Sequence, residues 1–442
     1  MTYRIPTVFL AAMLSTCTLA APAMDSRESA IVGAIDARQA DAVALLKASV
    51  TINSGTMNFS GIREVGALFD REFQSLGFTT EWVDGAPFMR AGHLVASGGG
   101  GGPKVLLIGH LDTVFPMDGP FQQWTVLEDG RVQAPGITDM KGGNVIMLEA
   151  LRALKSIGAL DSLQVRAVLT GDEEDRGRPL DVANRALVDA AHWADYAIGF
   201  EDGDGDAATA VIARRGSSSW DLSTTGRPAH SSQIFREDIG DGAAFELARI
   251  LNGWREALAG EANLTFNPGL LMAGTDIRHD GDNTRGEVFG KGNVIAQTGV
   301  ATGGIRALSP QQLDAALVVM RGIVADNLTG TGADFNFDAG YPPMPPSESN
   351  RALLSLYSDA SEALGLGEVS AVDPRRAGAA DVSFAAPYVY AALDGIGMMG
   401  SGGHTVDEAA DLETLVTQSR RAALFLYRLS QGAGGLPATP GR

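Results

Sequence analysis

The stretch Val165–Gly177, VRAVLTGDEEDRG, indicates how the chain folds and raises a question about charge. It begins with a mostly apolar run, Val165 to Leu169, which is typical of a β-strand in a protein interior. Four consecutive acids follow, Asp172 to Asp175. Adjacent carboxylates repel one another, and the end of a buried strand lies close to the core. We therefore expect either a solvated turn here or a bound cation that offsets the charge.

Similar strand patterns alternate with amphipathic helices on both sides of this stretch. KVLLIGHLDTV (104–114) and YAIGFE (196–201) are further apolar strand patterns, and MKGGNVIMLEALRALKSIGAL (140–160) has helical spacing. Alternating strands and helices with continuously apolar strands predict an α/β sheet with helices on both faces.

The middle of the chain follows a different pattern. Between about residues 208 and 342, strands of alternating hydrophobicity predict a separate α+β module with one exposed sheet face, and residues 209–226 are expected to form a hairpin. The predicted organisation is therefore a first domain built from residues 24–207 and 343–442, interrupted by a module at 208–342.

Composition and the N-terminus restrict the functional classes. The 442-residue chain has a formal net charge of −19, which disfavours nucleic acid and anionic membrane surfaces as partners. Residues 1–23 have the charge, apolar run and Ala-Pro-Ala end of a signal peptide. We expect an exported protein, periplasmic or secreted, without stable membrane association after signal removal. Cys17 is the only cysteine, so the mature chain would lack disulfides and thiolate chemistry.

Histidines and acids recur where predicted strands end, which is where open α/β sheets place their ligand sites. Taken singly, each has an ordinary interpretation: Asp139 has the position of a helix N-cap, and the acid run has the composition of a solvated turn. Taken together, they form a ligand set of the kind zinc accepts. The candidates are His110, Asp112, Asp139, Glu173, Glu174, Glu201 and His404.

Such a set suits a two-metal hydrolytic site. Two divalent ions roughly 3.5–4 Å apart hold a bridging water, lower its pKa and polarise a substrate carbonyl. One carboxylate must bridge the ions, and another must stay free to take the water's proton. Glu173 and Glu174 can divide these roles, since neighbouring residues point in different directions. Asp112 would hydrogen-bond His110 and fix its tautomer.

These motifs, in this order, resemble the zinc-dependent exopeptidase family of glutamate carboxypeptidase (carboxypeptidase G type), aminoacylase and succinyl-diaminopimelate desuccinylase. The resemblance implies a catalytic domain with a central mixed sheet, interrupted by a smaller ferredoxin-like α+β lid or dimerisation module, and a homodimer. It implies two zinc ions, with cobalt or manganese also acceptable. Glu173 would be the general base, Asp112 the orienting acid and Asp139 the bridging ligand; the full ligand set would be His110, Asp139, Glu174, Glu201 and His404.

The resemblance also assigns residues of the inserted module. His230 would stabilise the oxyanion, often from the partner subunit, and Asn293 and Arg306 would lie near the substrate. The chain departs from the family at Gly304, where an acid is common, and in the strand end FDAGYPP (337–343), which lacks a carboxylate-binding arginine. Arg375, or its neighbour Arg376, is the candidate replacement. The histidines expected to be non-ligands are His93, His192 and His279.

The sequence thus predicts an exported di-zinc hydrolase that cleaves the amide bond of small N-acyl amino acids or dipeptide-like substrates with a free carboxylate. An aminoacylase or other deacylase is the alternative within hydrolases. A non-catalytic binding protein on the same fold is a further alternative, which Glu173 disfavours because a binder needs no free base. Serine hydrolysis through Ser401 and His404 lacks the Gly-x-Ser-x-Gly turn that it requires.

Overall fold

The computed structural model describes residues 24–280 and 285–436 of the chain. The predicted signal peptide lies outside these ranges. Within them, no helix combines the length and the apolar character that crossing a membrane requires.

The helices of the described ranges are α1 (Ser26–Asp36), α2 (Gln39–Val50), α3 (Phe59–Ser75), α4 (Gly142–Ser156), α5 (Leu180–Ala183), α6 (Arg185–Trp193), α7 (Ala243–Leu258), α8 (Pro310–Ala325), α9 (Glu348–Ala363), α10 (Val382–Ala385) and α11 (Leu412–Ser430). The longer strands are β1 (Thr79–Asp84), β2 (Gly92–Gly99), β3 (Lys104–His110), β6 (Gln164–Thr170), β7 (Tyr196–Gly199), β9 (Ser217–Thr225), β10 (Thr265–Gly274), β11 (Asp276–His279), β12 (Gly286–Phe289), β13 (Thr298–Arg306) and β14 (Gly332–Tyr341). Shorter strands are β4 (Thr125–Val126), β5 (Val132–Gln133), β8 (Thr209–Ala210), β15 (Ser370–Ala371), β16 (Ala391–Leu393), β17 (Gly400–Ser401) and β18 (Ala409–Ala410).

The first sheet has six strands in the order β1-β2-β6-β3-β7-β16. Strand β3 is parallel to both β6 and β7, and β16 is parallel to β7, whereas β2 is antiparallel to β1 and β6. The predicted central mixed sheet is therefore confirmed. Because β3, β6 and β7 are parallel, their carboxyl ends meet at one edge of the sheet.

Helices cover both faces of this sheet, as the continuous apolar strands predicted. Successive side chains of a strand point to opposite faces. Val105 and Leu107 of β3 join the core formed with α1 to α4, α9 and α11. Leu106 and Ile108 join the opposite core, formed with α6 and α10.

The second sheet has four antiparallel strands in the order β10-β13-β9-β14. Helices α7 and α8 pack on one face, where Trp220 and Trp254 meet edge to face with ring centroids 5.0 Å apart. Along the chain the elements are β9, α7, β10, β13, α8 and β14, with the β11–β12 pair inserted after β10. This strand–helix–strand–strand–helix–strand succession, with this strand order, is ferredoxin-like. The opposite face of β9 carries the exposed Ser219, Ser223 and Thr225, as the alternating pattern predicted.

The hairpin expected within residues 209–226 is wrong. Strand β8 pairs in parallel with β15, and β9 pairs with β13 and β14. Between β8 and β9, Arg214 is drawn to the first sheet by a buried ion pair with Asp394 at 2.8 Å. Arg214 also exchanges two backbone hydrogen bonds of 2.9 Å with Met344, so the two connections between the sheets run side by side.

Candidate active site

The histidines and acids singled out in the sequence converge at the carboxyl edge of the first sheet. His110 ends β3, Glu201 follows β7, and Asp139 lies in the turn Ile137–Lys141 that precedes α4. The Nε2 atom of His110 lies 2.9 Å from Asp139 Oδ1 and 3.4 Å from Glu201 Oε1. These three side chains form a compact group with the geometry of a metal site.

A second group shares Asp139 with the first. His404, from the loop after β17, has its Nε2 atom 2.9 Å from Asp139 Oδ2 and 3.2 Å from Glu174 Oε2. Each carboxylate oxygen of Asp139 therefore faces a different histidine. The N-cap position of α4 belongs to Lys141, so the interpretation of Asp139 as a simple N-cap is wrong.

Asp112 ties His110 to the acid turn. Its carboxylate accepts hydrogen bonds from the backbone N–H groups of Glu173 (3.0 Å) and Glu174 (3.1 Å), and from the hydroxyl of Thr56 (2.7 Å). Nδ1 of His110 lies 3.0 Å from the backbone carbonyl oxygen of Asp112 and 3.4 Å from Oδ1 of the same residue. A ring nitrogen held in this way leaves Nε2 free to face the cluster.

The acid run is offset in two different ways. Asp172 is fully buried and pairs with Arg176 at 2.7 Å, while Asp175 pairs with Arg90 at 2.9 Å. Arginines therefore offset these two acids, and neither a solvated turn nor a bound cation, the two alternatives expected from the sequence, accounts for them. Of the four acids in the run, Glu173 and Glu174 are left to join the cluster with Asp139 and Glu201. The signal for the first pair was present in the sequence, because Arg176 follows Asp172 by four residues.

Burial and neighbouring acids disfavour the charged forms of Glu173, Glu174 and Glu201. Burial, with Asp139 nearby, raises the pKa of Glu174 to about 7. Burial and the adjacent acids also raise the pKa of Glu173 and of Glu201. Hydrogen bonds to Asp139 and Glu174 raise the pKa of His404 to about 11. A buried group of acids facing two imidazoles is a donor set that fits divalent cations, which would relieve this repulsion.

A family comparison agrees with this geometry. Residues 106–428 match the model of Peptidase family M20/M25/M40, which is well over half of the chain. The chain belongs to this peptidase family. Membership makes it a metal-dependent hydrolase, as the resemblance implied.

Curated relatives match along nearly the whole length. Carboxypeptidase G2 of Pseudomonas sp. (strain RS-16) is 24% identical over 436 residues, covering 96% of this chain and 98% of the relative. Succinyl-diaminopimelate desuccinylase of Acidiphilium cryptum (strain JF-5) is 28% identical over 391 residues, covering 85% and 95%.

Solved structures share the fold. Aminopeptidase PepT from Bacillus cereus superposes with a TM-score of 0.70 at 18% identity, covering 88% of this chain and 98% of that one. The YXEP protein of Bacillus subtilis, described as a dinuclear metal-binding peptidase of family M20, gives a TM-score of 0.61 at 14% identity, covering 90% and 99%. At these identities the likeness shows the M20 fold and nothing finer.

Glu408 is a residue of this M20 site that the sequence reasoning missed. It is fully buried, and its carboxylate accepts hydrogen bonds from the backbone N–H groups of Gly136 (2.8 Å), Thr138 (2.9 Å) and Asp139 (3.2 Å). Glu408 thereby holds the turn that presents Asp139 to both histidines. Its position only four residues after His404 was the available signal, but an acid near a candidate ligand has no distinctive pattern.

Tyr341 reaches the acid turn from the second sheet. At the end of β14, its hydroxyl donates to the carbonyl oxygen of Glu173 at 2.6 Å and accepts from Arg176 at 2.9 Å. Arg176 in turn pairs with Asp381. The backbone of Glu173 is therefore held by Asp112 on one side and by the inserted module on the other. Tyr341 belongs to the strand end that lacks the arginine expected from the family.

The two candidates His230 and Asn293 lie next to each other in the second module. The backbone N–H of Ser231 donates to the carbonyl of Asn293 at 2.9 Å, and His230 pairs with Val294 in an isolated bridge. His230 is exposed, and its Nδ1 contacts Ser232 Oγ at 2.9 Å. Among the described residues it makes no hydrogen bond or ion pair with the acid cluster.

Arg306 and Arg375 gather around a third arginine, Arg215, which sequence reasoning missed. The guanidinium of Arg215 is nearly buried and donates to Thr265 Oγ1 at 2.8 Å and to the Pro374 carbonyl at 3.3 Å. Arg306 is the cross-strand neighbour of Thr265. Burial, then the charges of Arg306 and Arg375, lowers the pKa of Arg215. In the described ranges none of the three forms an ion pair, whereas Arg376 pairs with Asp204 at 3.1 Å.

The histidines expected to be non-ligands lie outside the acid cluster. His93 Nδ1 accepts from the backbone N–H of Gly171 at 3.2 Å, and its Nε2 lies 2.9 Å from the Ala183 carbonyl. Both ring nitrogens are thus engaged with the backbone. His192 packs on Tyr388, and His279 is exposed in β11.

Proposed function

We propose that this M20 chain is a di-zinc amide hydrolase acting on small N-acyl amino acids or dipeptide-like substrates with a free carboxylate. The supporting observation is the pair of ligand groups that share Asp139, with Glu173 and Glu174 held side by side. Zinc suits imidazole and carboxylate ligands in this number, and cobalt or manganese would also be accepted.

The residues present divide naturally between two ions. His110, Glu201 and one oxygen of Asp139 would hold the first, and the other oxygen of Asp139 with Glu174 and His404 would hold the second. When bound, divalent ions at such a site supply the Lewis acidity that polarises an amide carbonyl and acidifies a water molecule.

Glu173 would be the general base. Its backbone is fixed by Asp112 and Tyr341, which places residue 173 beside the cluster. It would accept the proton of the attacking water and return that proton to the leaving amine as the C–N bond breaks. Asp112 would keep His110 in the tautomer that directs Nε2 into the site.

The substrate carboxylate would be bound by arginines. Arg306 and Arg375 form no ion pair in the described part of the chain, and Arg215 beside them adds a nearly buried positive charge. A guanidinium pairs with a carboxylate through two parallel hydrogen bonds, which provides both affinity and orientation. Asn293 and His230 would complete the site by contacting the substrate and the developing oxyanion.

The test of this function is metal analysis of the purified mature protein, followed by a substrate panel with and without chelator. We expect about two metal ions per chain, amide hydrolysis that a chelator abolishes, and recovery on adding zinc. The panel pairs N-acetyl amino acids with dipeptides and folate-like glutamates, and hydrolysis of the acetyl series alone would favour the deacylase alternative. A protein that binds one ion or none, or that hydrolyses normally in chelator, would contradict the proposal.

A homodimer is proposed on the family resemblance, with His230 acting across the interface. His230 is exposed and, among the residues that the structure describes, makes no hydrogen bond or ion pair with the cluster of its own chain; both observations support this. Mixed dimers of His230→Ala and Glu173→Gln chains would contain one intact site, so mixing two inactive variants should restore activity. Light scattering must show dimers in the same samples. Failure of the mixed dimers to recover activity would place the function of His230 within its own chain.

Export is also part of the proposal. Expression of the full chain in a Gram-negative host should yield protein in the periplasm or medium that begins after residue 23. Recovery of unprocessed protein from the cytoplasm would contradict export without affecting the proposed chemistry.

A further inference from the structure

A cavity of about 510 Å³ adjoins the acid cluster and has no role in the chemistry above. Its walls come from residues 55–58 and from the segment that follows β3, residues 113–117. Glu174 and Asp175 complete the lining. Because Glu174 belongs both to the cavity and to the group around His404, the cavity is continuous with the candidate metal site.

The lining of this cavity is largely apolar and open to solvent. Met57 and Met117 are 65% and 69% exposed, and Val114, also in the lining, is 36% exposed. Scattered exposed apolar side chains are ordinary on protein surfaces. Three around one cavity, next to a group of convergent polar residues, form the kind of surface that binds an apolar part of a ligand. Methionine also adapts its shape to different partners.

The walls are fixed relative to the reactive residues. The backbone N–H of Thr56 donates to the Thr113 carbonyl at 3.2 Å, and Thr113 donates to the Ser54 carbonyl at 2.9 Å. The hydroxyl of Thr56 bonds Asp112 at 2.7 Å. The two segments approach so closely that a Cβ atom at Gly55 would lie 2.3 Å from the Phe115 carbonyl oxygen. The cavity is therefore positioned before a ligand arrives.

The charges of the lining decide which group would enter. Among the described residues of its lining the ionisable side chains are acidic, Glu174 and Asp175, and Asp175 already pairs with Arg90. An acidic wall repels a carboxylate. The substrate carboxylate is better placed on Arg306 and Arg375, which form no ion pair in the described ranges. A neutral apolar group loses no hydration energy here and removes the methionine side chains from water.

We infer that this cavity takes a neutral aliphatic or aromatic substituent next to the scissile amide, while the substrate carboxylate lies on the arginines. This inference rests on the proposed function and makes it narrower. The preferred substrates are then amides that carry a bulky apolar acyl or side-chain group, rather than derivatives of glycine or lysine.

The experiment measures kcat/KM for two matched series with the zinc-loaded protein. One series lengthens the acyl chain on a constant amino acid, and the other places glycine, alanine, leucine, phenylalanine or lysine after a constant acetyl group. In one of the two series kcat/KM should rise about twofold to fourfold per added methylene. A fully buried methylene contributes about 0.8 kcal/mol, which is about fourfold, and a partly buried one contributes less. Met57→Ser/Met117→Ser should lower the ratio of the longest to the shortest substrate about tenfold. The control Val318→Ser, at a 70% exposed site on α8, should keep the wild-type ratio.

Binding provides a readout that does not depend on turnover. Calorimetry with the Glu173→Gln variant should show tighter binding of the longest than of the shortest member of the responsive series, and the methionine double variant on that background should lose the difference. Rates and affinities that are independent of chain length, or a preference for lysine, would overturn the inference. If the wild-type protein hydrolyses neither series nor the dipeptides and folate-like glutamates of the substrate panel, the proposed function fails. If it hydrolyses all members of the two series equally, only the cavity assignment fails.

Discussion

The edges of the two sheets solve opposite electrostatic problems. The carboxyl edge of the first sheet gathers acids and imidazoles in a largely buried group, and Glu408 and Asp112 hold two of the backbone segments that carry them. The edge of the second sheet gathers arginines, of which Arg306 and Arg375 are exposed and free of ion pairs in the described ranges. The first arrangement suits a fixed cation set, and the second suits an anion that arrives from solvent.

This difference implies different kinds of mutational effect. Removing a group at the first edge should lower kcat or metal content, because the chemistry is located there. Removing a group at the second edge should raise KM, because it contributes substrate binding. Substitutions at Glu173, Glu408, Arg306 and Tyr341 test whether effects on kcat and metal content separate in this way from effects on KM.

Glu173→Gln should lower kcat by about 10²–10⁴-fold, because the carboxamide cannot accept the proton of the attacking water. Metal content and thermal midpoint should stay close to the wild type, since the hydrogen bonds to residue 173 involve its backbone. Steady-state kinetics with metal analysis checks both. The matched control is Glu287→Gln on the exposed strand β12, which should change neither. Near-normal turnover in Glu173→Gln would assign the base elsewhere.

Glu408→Gln should lower metal affinity or activity by about 10- to 100-fold, although Glu408 touches no proposed ion. The amide nitrogen of glutamine would face the backbone donors that now bind the carboxylate, and the turn carrying Asp139 would shift. The free energy of unfolding should also fall by about 1–3 kcal/mol. Metal titration and urea unfolding measure these effects, with Glu362→Gln on the exposed side of α9 as control. Full metal content with unchanged affinity would show that Asp139 needs no such support.

Arg306→Gln should raise KM about tenfold for substrates with a free carboxylate and leave kcat nearly unchanged, because a charge-assisted hydrogen bond is lost from binding. For the matching carboxamide substrate, wild type and variant should have similar KM values. Arg278→Gln, at an exposed ion pair with Asp276, is the control. A variant that lowers kcat instead would remove the distinction between the two edges.

The sequence predicted the first edge better than the second for physical reasons. Buried parallel strands need continuous apolar runs, and their ends are marked by a sudden change to polar residues, so His110, Glu201 and the acid turn could be located without coordinates. Their supports could not. Glu408 lies about 270 residues from the N–H groups that it binds, and Tyr341 about 168 from the carbonyl it contacts. Contacts between residues so far apart in the chain leave no pattern in the local sequence.

In the inserted module, too, the sequence predicted local structure but not contacts between distant residues. Alternating hydrophobicity predicted its strands and its exposed sheet face. It did not predict strand partners, so the hairpin expected at residues 209–226 was wrong. The segment between β8 and β9 is instead tied to the first sheet by the buried ion pair of Arg214 with Asp394.

Tyr341→Phe should give the smallest effect and tests whether the two edges are coupled. The ring would keep its packing on Phe384, at 4.9 Å between centroids, while the hydrogen bond to the Glu173 carbonyl and the one from Arg176 are lost. We expect kcat to fall about threefold to tenfold, because the bond that holds the Glu173 backbone is worth about one neutral hydrogen bond, with KM and metal content unchanged. Kinetics over the substrate panel checks this, with Tyr388→Phe at a 45% exposed site as control. If KM rises and kcat stays constant, Tyr341 contributes to substrate binding with the arginines, and the second module does not position the base.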